Sequence, residues 1–90
     1  MFYLVDTTAA NGCLRVVPGS HLQAHPIDPL LTRTEETRLF QNPTDPTFGH
    51  VDGEVDVPLR VGDFVCGYSE ILHAAHANTS NHKRTCLTMW

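Results

Sequence analysis

Apolar and polar positions alternate in short bursts along this chain, not in helical stripes. Phe2-Tyr3-Leu4-Val5 is an apolar run closed by Asp6, and Cys13-Leu14-Arg15-Val16-Val17 is a second, with a pair of β-branched valines. The segment between them ends in Asn11-Gly12, a strong hairpin signal. Residues 2–6 and 13–17 are therefore predicted to be strands joined by a tight turn, with Pro18-Gly19 stopping the second. Glu54-Val55-Asp56-Val57-Pro58-Leu59 alternates polar and apolar, as a half-buried strand does. A turn over 60–63, a strand over 64–68, an extended run through Ile71-Leu72-His73, a polar turn over 78–83 and a last strand over 84–90 complete the reading. Phe64 and Trp90 are expected in the core.

The stretch 22–53 breaks this rhythm. It holds Pro26, Pro29, Pro43 and Pro46 with Gly49 and Gly53, so it reads as a long irregular loop. Thr34-Glu35-Glu36 resembles a helix start, which predicts a short helix over 30–40. Loops this long inside compact domains are uncommon and often functional, so a lid or substrate loop fits. Repeated short strands separated by turn signals imply an all-β sandwich or barrel. Ninety residues make one domain, 1–90, able to bury roughly 60 % of the surface its unfolded chain exposes. The chain opens directly in strand-like sequence, as though part-way through a sheet, and is expected to be a partial domain.

Composition narrows the function. A net charge of −4 argues against nucleic acid as partner, which needs a basic face, and against an anionic membrane surface. The apolar run at residues 2–5 is too short for a signal-peptide core, and no run reaches membrane-spanning length. Cys13, Cys66 and Cys86 have no Cys-x-x-Cys spacing and sit among apolar residues. They read as buried reduced thiols, which points to a reducing compartment, the cytoplasm.

Candidate chemistry concentrates near the end. His73 follows an apolar strand, and a neutral imidazole is a good ligand for divalent iron. Beyond the polar turn stands Arg84, whose planar fork can hold a carboxylate with two parallel hydrogen bonds. The turn folds the chain back, which predicts Arg84 on a strand antiparallel to the one ending at His73, both side chains facing one barrel mouth. A histidine satisfied by a backbone carbonyl and a solvated strand-edge cation are the plainer alternatives. Asn78 and Ser80 are expected to hold the turn through side-chain to backbone hydrogen bonds, and His21 to brace the loop after Pro18-Gly19. His50-Val51-Asp52 is a His-x-Asp match in the variable loop and reads as a polar loop tip, with metal binding as the sharper alternative. His76 and His82 are spaced from His73 in no familiar zinc pattern.

Taken together, Asn11-Gly12-Cys13-Leu14-Arg15-Val16-Val17-Pro18-Gly19-Ser20-His21, then Val61-Gly62-Asp63, then His73 with Asn78, Ser80 and Arg84, resemble the phytanoyl-CoA dioxygenase family. The resemblance runs in register along the whole chain apart from the loop 22–53. It implies the C-terminal half of a double-stranded β-helix, a cupin-like jelly roll. It also implies an Fe(II)- and 2-oxoglutarate-dependent oxygenase that hydroxylates a small organic substrate with dioxygen, releasing succinate and carbon dioxide. His73 would be the distal histidine of the 2-His-1-carboxylate iron site, and Arg84 would bind the far carboxylate of 2-oxoglutarate. The family's His-x-Asp pair lies upstream of the Asn-Gly-Cys-Leu turn and has no counterpart there in this chain, so the chain reads as a C-terminal fragment of a longer enzyme. An inactive jelly-roll binding module is the alternative. Half a jelly roll would also expose sheet edges that invite self-association.

Overall fold

The computed structural model describes residues 1–31 and 49–89. Five short strands carry it: β1 (Phe2–Tyr3), β2 (Leu14–Val16), β3 (Val55–Val57), β4 (His73–Ala75) and β5 (Cys86–Leu87). They form two antiparallel sheets, one of β1 and β5 and one in the order β3-β2-β4. Both sheets join strands far apart in sequence, as a jelly roll requires and a simple meander does not. The all-β expectation holds. Turns of 3-10 helix at Ala9–Asn11, Ser20–Leu22 and Asp28–Leu31 are the helical pieces among the described residues.

The predicted hairpin between 2–6 and 13–17 does not form. β1 pairs with β5, while β2 pairs with β3 and β4. Asn11-Gly12 instead closes the Ala9–Asn11 turn, with Gly12 left-handed at φ 90° and its N–H donated to the Ala9 carbonyl at 3.3 Å. Gly12 packs so closely that a Cβ there would lie 2.9 Å from the His76 carbonyl oxygen. A hairpin would keep residues 7–12 at one sheet edge. The close approach to residue 76 instead ties this turn to the end of β4.

β1 has a second neighbour. The Tyr3 N–H donates to the Asp63 carbonyl at 2.9 Å and the Val65 N–H to the Met1 carbonyl at 2.8 Å, with Phe2 bridging Phe64. The predicted strand at 64–68 is thus reduced to a ladder at its beginning. The turn before it forms as expected, with Gly62 at φ 93° and the Arg60 N–H donated to the Asp63 carboxylate at 2.9 Å. The two sheets are stitched by Thr7, which is 2 % exposed and whose Oγ1 accepts the Leu59 N–H at 3.0 Å.

Tyr3, Cys13 and Leu14 form the buried core. Phe64 is not in it. Phe2, Phe64 and Leu87 are cross-strand neighbours and all are exposed, giving an uncovered apolar row on one face of the β1 sheet. The predicted helix over 30–40 falls almost wholly outside the described residues, as does Trp90. Among the described residues no helix is long and apolar enough to cross a membrane.

Candidate functional site

His73 opens β4, and β2 fixes its place. Val16 is its register partner, and the Val17 N–H donates to the Leu72 carbonyl at 3.0 Å. Ser20, in the turn after Pro18-Gly19, accepts the Leu72 N–H on its Oγ at 2.8 Å. The apolar strand and the Pro-Gly-Ser turn thus pin the backbone immediately before the histidine. Strand alternation puts His73 on the same face as Val16, Leu14 and Ala75, and puts Arg15, Asp56 and Ala74 on the other.

The His73 ring makes one contact with a consequence. Its Nδ1 lies 2.7 Å from the Ile71 carbonyl oxygen. A carbonyl only accepts, so Nδ1 carries the proton and the neutral ring keeps its lone pair on Nε2. The carbonyl-satisfied histidine and the metal-ligand histidine are therefore compatible here. The ring is exposed and lines a cavity of about 50 Å³ with Val16, Leu72, Ala74, Val51 and Ile27.

Arg84 is placed differently from expectation. It stands just before β5, whose partner is β1, so its strand is not the antiparallel neighbour of β4. His73 opens a strand of one sheet, Arg84 stands outside the strands ahead of the other sheet's β5, and Arg84 does not line the His73 cavity. Its charge acts on Tyr3 and Cys13. Burial pushes the Tyr3 hydroxyl up, Cys86 adds to this, and Arg84 partly offsets it. The turn between the two residues forms as read from sequence. Asn78 donates to the His82 carbonyl at 2.7 Å and accepts from the Ser80 N–H at 2.9 Å, while the Ser80 Oγ accepts the His82 N–H at 3.1 Å. His21 stacks on Tyr68 with ring centroids 5.1 Å apart, bracing its loop.

His50 and Asp52 do not join His73. The His50 Nδ1 lies 3.0 Å from Glu54 Oε1, and Asp52 is exposed in a turn. Glu54 is the organising group of this loop, because it also meets Arg15 Nη1 at 2.8 Å with both side chains buried. Burial alone would raise the Glu54 carboxyl. The Arg15 guanidinium, the Val51 N–H and His50 outweigh it and hold the group below its ordinary value.

A different trio converges. Among the described residues, Cys13, Asp56 and His76 bring a thiol sulfur, a carboxylate oxygen and an imidazole nitrogen within 4.8 Å of one another. His76 Nε2 lies 2.6 Å from Asp56 Oδ1. Burial pushes the Cys13 thiol up and Asp56 adds to this, against the Val57 backbone and Arg84. The sequence signal for this cluster is faint, since its members lie far apart along the chain and only strand register joins them. Of the cysteines expected to be buried, Cys13 is, Cys86 is half-buried and Cys66 is exposed.

The family model described as Phytanoyl-CoA dioxygenase (PhyH) matches residues 1–86. Phytanoyl-CoA dioxygenase 1 of Oryza sativa subsp. japonica is 34 % identical over 88 residues, covering 96 % of this chain and 29 % of the relative. The Caenorhabditis briggsae homolog of phytanoyl-CoA dioxygenase domain-containing protein 1 is 30 % identical over 88 residues, covering 93 % of this chain and 30 % of its own length. The Mus musculus phytanoyl-CoA dioxygenase domain-containing protein 1 is 29 % identical over 94 residues, covering 93 % of this chain and 29 % of its own length. This chain thus spans about three-tenths of the length of these relatives. No solved structure gives a significant match.

Proposed function

Because this chain belongs to the phytanoyl-CoA dioxygenase family, we propose that it supplies part of the site of an Fe(II)- and 2-oxoglutarate-dependent dioxygenase. The reaction is hydroxylation of a small organic substrate by dioxygen. His73 Nε2 is one iron ligand, and the Arg84 guanidinium binds the distal carboxylate of 2-oxoglutarate. The observation that carries this reading is the His73 Nδ1–H donated to the Ile71 carbonyl at 2.7 Å. Metal-ligating histidines commonly donate their other ring N–H in this way, which fixes the ring and raises the basicity of the ligating nitrogen.

Iron bound there would activate dioxygen for hydroxylation. This chain's residues would do the rest by positioning. Val16 and Ala75 flank the imidazole on its face of the sheet, and the Ser20 to Leu72 hydrogen bond holds its backbone. Arg84 would fix the co-substrate's far end with paired, charge-assisted hydrogen bonds. A 2-His-1-carboxylate site takes three protein ligands. His73 is one, and we assign the others to the part of the relatives' length that this chain does not span. The free thiols of Cys13, Cys66 and Cys86 fit work in the reducing cytoplasm. The exposed row of Phe2, Phe64 and Leu87 offers a surface for self-association.

The test uses protein of the full length of these relatives, with Fe(II), 2-oxoglutarate and oxygen, and measures succinate. Arg84→Ala should weaken 2-oxoglutarate binding roughly 10–100-fold, the equivalent of one charged hydrogen-bonding group. His73→Ala should lose iron. If Arg84→Ala leaves both turnover and the KM for 2-oxoglutarate unchanged, the arginine assignment is wrong. A protein that binds no iron and releases no succinate is the inactive binding module instead.

A further inference from the structure

Cys13, Asp56 and His76 have no part in the oxygenase reading, yet the fold gathers them at one end of the β3-β2-β4 sheet. Cys13 immediately precedes β2, Asp56 lies in β3, and His76 immediately follows β4. Each strand of that sheet thus places one residue, within it or directly at its end. We propose that the three bind a divalent metal of zinc type, as a clasp across the sheet.

The donor set fits the ion. Thiolate, imidazole and carboxylate are the three protein ligands zinc takes, and a thiolate selects for zinc over the harder ions that prefer all-oxygen sites. Tetrahedral zinc with bonds of roughly 2.0–2.3 Å sets its ligand atoms about 3.3–3.7 Å apart. The three atoms already lie within 4.8 Å of one another. The His76 to Asp56 contact, 2.6 Å as a hydrogen bond, would open by roughly an ångström, with the ion replacing the shared proton. Small side-chain rotations supply that.

The backbone beneath is already fixed. The His76 N–H donates to the Cys13 carbonyl at 3.1 Å, and Gly12 closes against the His76 carbonyl so tightly that no Cβ fits. Asp56 is held in register opposite Arg15. The Cys13 side chain is fully buried while Asp56 is 48 % and His76 30 % exposed, so the fourth coordination position opens to water. Strand alternation places Asp56 on the face opposite His73 and none of the three residues lines the His73 cavity, so this is a second site and not part of the proposed iron site.

Cobalt(II) titration of the purified protein tests the proposal, because a thiolate ligand gives a near-ultraviolet sulfur-to-cobalt charge-transfer band that a histidine-carboxylate site lacks. One equivalent should saturate the band, and zinc(II) should displace it. Cys13→Ser should abolish it. Asp56→Asn and His76→Gln, both on the open side, should keep the native circular dichroism and weaken binding at least about tenfold. His73→Ala should leave band and affinity unchanged, which separates this site from the oxygenase reading. The proposal is overturned if wild-type protein shows no such band. A band that survives Cys13→Ser, or unchanged affinity in Asp56→Asn and His76→Gln, overturns it equally.

Discussion

Replacing Glu54 by Gln should destabilise the fold more than its size suggests. Its carboxylate faces Arg15 Nη1 at 2.8 Å, with only 6 % of the Glu54 and 8 % of the Arg15 side chain exposed. Breaking a buried pair by removing one member costs up to about 3–5 kcal/mol. Gln keeps the volume and can still accept one hydrogen bond, so about 3 kcal/mol is expected for Glu54→Gln, and a similar loss for Arg15→Met. Against a total of about 5–15 kcal/mol for a small domain, that is a large fraction. The double variant Arg15→Met/Glu54→Leu should recover part of it, because both charges of the pair are removed together. Urea denaturation at pH 7 measures each loss. The pH dependence follows from the lowered Glu54 carboxyl. In the unfolded chain the group titrates near its ordinary 4.5. Its contribution is therefore complete above that pH and disappears as pH falls through the lower folded value. Glu54→Gln has nothing to titrate, so the gap to wild type should close on acidification. A loss below about 0.5 kcal/mol at pH 7, or a gap that does not narrow in acid, refutes the reasoning.

Gly12→Ala should cost at least about 1–2 kcal/mol, since Gly12 is left-handed and a Cβ would meet the His76 carbonyl at 2.9 Å; thermal denaturation checks it, and a neutral result would mean that the turn relaxes freely. Thr7→Val should cost about 1–3 kcal/mol by removing the acceptor of the half-buried Leu59 N–H, with Thr7→Ser restoring most of it; equal stability of the valine variant would show that water reaches that group.

Much of the local structure is written in the chain itself. Val55–Val57 appears where polar and apolar residues alternate, the 60–63 turn where Gly62 takes a positive φ, and the 78–83 turn where Asn78 and Ser80 hydrogen-bond their neighbours. These are short-range effects, set by residues a few positions apart, and the family resemblance rests on the same local runs. Partner choice is another matter. Asn11-Gly12 looks like a hairpin turn, yet β1 pairs with β5 and β2 with β3 and β4, because a two-sheet fold satisfies its backbone through long-range pairing. The same pairing decides which side chains meet. It separates Arg84 from the strand of His73, sets Glu54 against Arg15, and assembles Cys13, Asp56 and His76 from three strands. Which distant strands pair is decided only when their folded surfaces meet, and the local runs do not specify it.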